Sequence, residues 1–344
     1  MTSWEELLSM DGELTDEEKD QLLAQAKSMI SGHPVSAKAH KKKRNAVSRP
    51  DCPYCHSAYV VLDGTHRDKQ RYWCKACDRT FVSTTNTAMS ESHYDIDTWK
   101  EVISDTFVGL SIDETADSIG ASHSTVFRMR HKILLALQYL EEIEPTELQN
   151  IAELDETYVL ESQKGKKFTD DASRKPRKRG EKATKRGLSN EQVCICTGVE
   201  RNKGKSYAVT VNMAKPSNSE IKQAFDTHIE EGTVLFTDGL KGYQVLEESV
   251  DCKVNGVTTE EMKKSKTANL NNVNSFHSFI KTRYHGYRGV ASKYINRYNA
   301  LFAAGFRDRK ETIDKVCELL LTIRDDDIHM SDDDVKNKGL FKGE

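Results

Sequence analysis

The chain lacks any apolar run near the ~18 residues needed to cross a membrane, although it is 344 residues long. It also lacks the basic start and apolar core of a secretory leader, opening instead Met-Thr-Ser-Trp-Glu-Glu-Leu-Leu. These two absences predict a soluble, intracellular protein with no membrane partner. An excess of one charge is missing too: 51 Lys and Arg stand against 54 Asp and Glu, for a net −3. So balanced a total neither requires nor excludes a nucleic acid, and the distribution has to decide. Basic residues cluster at 38–49 and 164–186, and acids at 325–334, so a basic face can hide behind the total. The eight cysteines are not spread like a disulfide framework; four of them form two Cys-x-x-Cys pairs. That pattern suits a reducing compartment and a metal. The length allows two or three domains.

Residues 1–49 read as a helical segment followed by a basic linker. Trp4, Leu7, Leu8, Leu22, Leu23, Ala26, Met29 and Ile30 fall at helical spacing, and Lys41-Lys-Lys-Arg44 follows Pro34. The helices read as a packing element and the linker as a phosphate-contacting arm. In 50–85, Cys52-Pro-Tyr-Cys55 and Cys74-Lys-Ala-Cys77 are eighteen residues apart. Two tight turns each supply two thiolates, which is what a tetrahedral zinc site needs. Tyr59–Leu62 and Arg71–Trp73 read as a hairpin with Gly64 at its turn, making this segment a zinc ribbon.

Residues 90–145 read as helical. A short amphipathic helix from Leu110 ends at Gly120, and a second starts after Ser122, a suitable N-cap. This is the helix-turn-helix pattern, which places Ser124, Arg128, Arg130, His131 and Lys132 toward DNA. Pro145 marks a boundary. The insert 163–187 holds eleven basic and three acidic residues, among them Arg177, Lys178, Arg179, Lys185 and Arg186. It predicts a loop that gathers phosphates.

Between 150 and 310, strands at 151–162, 192–199 and 206–211 precede a helix at 219–231 and a buried strand at 233–237. That order opens an RNase H-like α/β domain. Helices are expected near 240–248, 269–284 and 292–323, the last running into a C-terminal helix and acidic tail in 311–344. Asp155 lies inside the first strand and Asp238 ends the fourth, so neighbouring strands can bring the two carboxylates together. Phosphodiester cleavage uses two divalent ions about 3.5–4 Å apart, held by hard oxygen ligands. Asn274 and Lys281 are seven residues apart on the third helix and share a face, with His277 between them. An amide oxygen binds Mg²⁺ or Mn²⁺ without adding charge, and a lysine holds phosphate. Glu260 and Glu261 are the competing third acids, set in a polar, lysine-rich stretch.

The order zinc ribbon, helix-turn-helix, Asp155-Glu-Thr-Tyr, Thr237-Asp-Gly-Leu-Lys-Gly-Tyr, Val273-Asn-Ser-Phe-His-Ser and Tyr287-Arg-Gly-Val-Ala-Ser-Lys-Tyr resembles insertion-sequence transposases of the ISXO2-like type. The resemblance spans about residues 50–305. It implies an RNase H-like domain with Asp155, Asp238 and Asn274 on Mg²⁺ or Mn²⁺ and Lys281 seven residues on. It further implies that Arg288 and Lys293 lie in the closing motif and hold phosphates. The substrate would be double-stranded DNA, both element ends and target, bound by a homodimer or larger assembly among the DNA of a bacterial cell. Asparagine in the third place also fits a rival: a DNA-binding regulator, or domesticated transposase, with an inactive catalytic domain.

Overall fold

The computed structural model describes residues 49–324 except 67, 68, 91, 165–182, 186, 203, 240, 266, 288, 307 and 308. The N-terminal helices, most of the basic linker, Arg177, Lys178, Arg179, Arg186, Arg288 and the acidic tail therefore lie outside the described residues.

Three short antiparallel strands come first: β1 (Val60–His66), β2 (Lys69–Cys74) and β3 (Thr80–Val82), in that order across the sheet. Gly64 does not form the turn, as the sequence had implied. It sits within β1 at φ 66°, where the register slips between Leu62 and Thr65. A bulge of this kind takes one residue into left-handed backbone, which glycine adopts without a steric penalty. β3, which has only three residues and no visible period, brings Phe81 against Tyr72 with ring centroids 5.5 Å apart. Cys52, Val60, Tyr72, Cys74 and Phe81 form a small core of their own.

Three helices follow: α1 (Ile96–Val108), α2 (Ile112–Ile119) and α3 (His123–Ile143). Asp95, Ser111 and Ser122 cap them by accepting the N–H of Thr98, Glu114 and Thr125, each satisfying an otherwise orphaned amide. α2 stops at Gly120, φ 64°. The first turn of α3 is exposed, but Val126, Met129, Ile133, Leu134 and Leu137 beyond it are buried.

The main sheet holds β4 (Ile151–Leu160), β5 (Gln192–Glu200), β6 (Ser206–Met213), β7 (Val234–Thr237) and β8 (Lys253–Gly256), in the order β6-β5-β4-β7-β8. β4, β5 and β6 are antiparallel; β7 and β8 run parallel to β4 on its other side. This is the RNase H-like arrangement. The helices are α4 (Asn218–Phe225), α5 (Val245–Ser249), α6 (Thr259–Lys264), α7 (Asn271–Gly286), α8 (Ile295–Phe306) and α9 (Arg309–Thr322). The helix expected over 292–323 is divided: a 3₁₀ turn at Ser292–Tyr294 precedes α8, and α9 is separate. One face of the sheet packs Leu154, Cys196 and Leu235 against Phe225, Tyr243 and Leu246. The other joins Val193 and Ile195 to Phe276, Ile280, Phe302 and Leu320, and also to Trp99, Ile103, Ile133 and Leu134 of α1 and α3. The helix-turn-helix segment thus shares a core with the sheet.

Candidate metal centre and nucleic-acid surface

In the small domain, Cys52 Sγ lies 3.6 Å from Cys77 Sγ, and Cys55 Sγ 3.6 Å from Cys74 Sγ. All four sulfurs are within 4.8 Å of one another, and none is in a disulfide. Four thiolates about 2.3 Å from one zinc ion sit about 3.8 Å apart, so the donor set fits tetrahedral zinc. Burial raises the Cys74 thiol, but the Cys77 and Ala76 amides and the neighbouring thiols outweigh it and bring it to about 7.

The second cluster forms where β7 ends. β4 and β7 pair in parallel from Ile151↔Val234 to Glu153↔Phe236. Carrying that register on by two residues sets Asp238 level with Asp155. β7 stops at Thr237, and the chain turns away through Gly239 at φ 83°, so β4 is unpaired on this side from there on. A Cβ on Gly256 would lie 3.0 Å from Gly239 Cα; the bare backbones of the two glycines hold the Asp238 turn against the end of β8. Successive residues of β4 face opposite ways. Asp155 is on the α7 face, and Glu156 on the face of Tyr243, yet at the open edge both carboxylates come within 4.8 Å of Asp238 and of each other. Glu156 was not singled out from the sequence. Its one signal is the adjacency Asp155-Glu156, which an alternating strand disguises as a solvent-facing position.

Burial pushes the Asp155 carboxyl up to about 7; Asp238 and Glu156 push the same way, against its bond from the Glu156 N–H and the pull of Lys281. Glu156 is raised as well, by burial and then by Asp238, while the fully buried Tyr243 hydroxyl facing it acts in opposition. Two carboxyls raised by burial and set within reach of a third carboxylate are the chemistry of a divalent cation site.

α7 crosses this edge. Its N-terminus has no side-chain cap of its own. The fully buried Glu153 carboxylate substitutes, accepting from the Asn272 and Val273 N–H at 2.8 and 3.0 Å and from Asn272 Nδ2 at 2.8 Å. Arg201 Nε closes the network 2.8 Å from Glu153 Oε1, and its Nη1 and Nη2 donate to the main-chain oxygens of Thr267 and Asn269. One turn in, Asn274 is exposed; His277 is buried, with Nδ1 3.8 Å from Asp155 Oδ2; Lys281 is exposed and acts electrostatically on both. Burial, then Lys281, lowers His277 to about 4, so the ring is neutral. Glu261 is otherwise engaged, its carboxylate accepting from the Thr258 N–H and hydroxyl as the reciprocal cap of α6. Glu260 is exposed beside it.

The surface residues divide. Ser124 and Arg128 are exposed on the opening turns of α3. Arg130 is not available to DNA, a correction to the expectation: it is 1% exposed, reaches Ser111 O and Thr115 Oγ1, and lies over the Tyr287 ring. Lys132 is likewise turned inward, partly buried and donating to Ala88 O at 3.0 Å. The burial of Arg130 follows from the helix period, since it falls between Val126 and Ile133 on the buried stripe; His131 beside it is also 1% exposed, whereas Lys132, one turn past the exposed Arg128, is drawn in by its bond to Ala88 O. Lys185 is exposed where the basic insert returns, and Lys293 is partly buried with its ammonium 4.9 Å from the Tyr294 ring. Ser162 and Ser292 exchange hydrogen bonds, 2.7 and 2.9 Å, so β4 runs out toward the insert beside Ser292.

Residues 147–307 match the ISXO2-like transposase domain family. A protein of the transposable element ISH50 from Halobacterium salinarum is 28% identical over 200 residues, 57% of this chain and 64% of that protein. The chain thus matches a little under two thirds of that relative's length. Among solved structures, a pre-cleavage Mos1 transpososome aligns at 10% identity and TM-score 0.26, over 67% of this chain and 80% of its own. A simian T-cell lymphotropic virus intasome aligns at 10% identity and TM-score 0.28, over 59% and 67%.

Proposed function

We propose that this chain is a DNA transposase that binds the inverted ends of an insertion sequence, cuts a strand there and joins the freed end to target DNA. The observation that carries this reading is the meeting of the Asp155, Glu156 and Asp238 carboxylates where β7 ends beside β4, with α7 crossing above them. The match of 147–307 to a transposase domain supports it. Asp155, Asp238 and Asn274 are the residues that would hold two divalent ions, Mg²⁺ or Mn²⁺, with Asp155 shared. Such ions activate the attacking hydroxyl and relieve charge on the leaving oxygen.

The protein's own groups do the rest. Glu156 adds the negative charge that Asn274 does not. Lys281, exposed on the face of α7 that carries Asn274 and His277, holds a phosphate, as do Lys293 and Arg288. Ser124 and Arg128 meet the element end from the exposed opening of α3. The insert, including Arg177, Lys178, Arg179, Lys185 and Arg186, supplies attraction that does not depend on sequence. Zinc holds the ribbon together. Two ends must meet before joining, so the active form is a dimer or a larger assembly on intracellular DNA.

Asn274 alone favours the competing reading, a DNA-binding regulator without catalysis; the third carboxylate of Glu156 weighs against it. The test is strand cleavage and joining on labelled DNA carrying the element's ends, with Mg²⁺ or Mn²⁺. Nicking that needs metal and is lost in both Asp155→Ala and Asp238→Ala establishes the transposase. Tight end binding with no nicking by the parent protein establishes the regulator.

A further inference from the structure

The hydrogen bonds around His277 carry one more step, which rests on Asp155 being a metal ligand. Thr197 Oγ1 lies 2.7 Å from the main-chain oxygen of Asp155 and 2.7 Å from His277 Nε2. The hydroxyl has one hydrogen, and a carbonyl oxygen only accepts, so that hydrogen goes to Asp155 O. His277 Nε2 must then bear a hydrogen and donate it to Thr197 Oγ1. In the neutral form in which an imidazole binds a metal, this leaves Nδ1 with a bare electron pair. Nδ1 faces Asp155 Oδ2 across 3.8 Å, too far for a direct hydrogen bond. His277 is only 7% exposed, so two electron-pair donors confront each other where little water reaches. A cation between them removes the repulsion, and an ion about 2.1 Å from each atom fits the gap.

We infer that His277 Nδ1 is a nitrogen ligand to the divalent ion that Asp155 holds on its α7 side. Thr197 sets the tautomer and the ring orientation, as the partner of a metal-binding histidine does. Asn274, one helical turn before His277, lies on the same side of α7, so this ion takes a carboxylate, an amide oxygen and an imidazole. A set containing nitrogen favours Mn²⁺ over Mg²⁺, which holds to oxygen ligands and water.

The test is pulsed electron paramagnetic resonance of Mn²⁺ bound to the full-length, zinc-loaded protein without DNA. Bound Mn²⁺ is expected to show coupling to a directly ligated ¹⁴N, which becomes a ¹⁵N coupling when the protein is grown with ¹⁵N-histidine. That comparison needs no substitution and so does not depend on a variant folding. His277→Gln is expected to lose the coupling and weaken Mn²⁺ binding by about tenfold or more, with a smaller effect on Mg²⁺. His285→Gln, exposed two turns further along α7, keeps both. Mn²⁺ that binds in an Asp155-dependent way with no histidine nitrogen coupling overturns this inference and leaves the carboxylate site standing. Mn²⁺ binding that ignores Asp155→Asn, or no Mn²⁺ binding at all, overturns both.

Discussion

Arg128 and Arg130 are two residues apart in α3, so their side chains leave the helix about 200° apart. One reaches solvent; the other lies against Tyr287 and Thr115 in the core. Arg130→Ala is therefore expected to cost about 2–4 kcal/mol of stability, from the cavity and the lost bonds. Urea unfolding should show that loss, with DNA affinity unchanged under conditions where the variant is folded. Arg128→Ala is expected to do the opposite: stability unchanged, and the dependence of binding on salt reduced by about one phosphate contact. Asp155 makes a pH prediction. Its carboxyl titrates near 7 in the fold and near 3.9 in an unfolded chain. Between those values the folded protein holds the extra proton, so the metal-free fold is stabilised below about pH 4 and progressively loses that stabilisation as pH rises through 7. The limit is about 1.4 kcal/mol per pH unit. Denaturant midpoints measured from pH 5 to 8 without divalent ions should fall more steeply for the parent than for Asp155→Asn, and adding Mn²⁺ should flatten the parent's slope.

At the scale of elements, α7 carries the groups of the site but is placed by a residue two positions before Asp155. Glu153 is wholly buried and tied to Arg201. Removing one partner leaves a buried charge uncompensated, at about 3–5 kcal/mol. Arg201→Met is thus expected to be strongly destabilising by chemical denaturation, and Arg201→Met with Glu153→Gln less so than Arg201→Met alone. A double variant as unstable as the sum of the singles would show that the two act independently. None of this network was legible in Ile151-Ala-Glu-Leu-Asp-Glu, where Glu153 and Asp155 alternate with apolar residues and Glu153 reads as part of a strand's wet side. Burial of Glu153 is decided by α7, about 120 residues later. Asp238 and the four cysteines were legible because local rules mark them: a strand end before glycine, and tight turns of two thiols; Asp155 was marked only as an acid inside an apolar strand. Glu156 was not legible, because its approach to Asp238 depends on where β7 stops. The capping box Thr258-x-x-Glu261, which removes Glu261 from contention, is a local pattern and could have been read.

At the scale of the molecule, the described residues divide into a small ribbon with its own core and a larger body with a core on each face of the main sheet. The ribbon's core has five residues, two of them the cysteines Cys52 and Cys74. The body beyond it joins α1 and α3 to the main sheet, α7, α8 and α9 through one continuous core. Ala88 and Met89 already belong to the larger body, so the change of allegiance falls between Phe81 and Ala88. A core as small as the ribbon's cannot offset the entropy of ordering its chain, and zinc has to supply the difference. The helices and the sheet share buried side chains and should unfold together. Calorimetry of the zinc-loaded protein is expected to show a ribbon transition whose midpoint rises with free zinc, as binding to the folded form alone requires. The transition of the main body should be indifferent to zinc. A strong thiol-competing chelator should abolish the first and move the second by no more than a few degrees, while DNA-end binding falls and Mn²⁺ binding at Asp155 persists. If chelation instead melts the sheet along with the ribbon, the two bodies are one cooperative unit and the zinc site supports the catalytic edge as well.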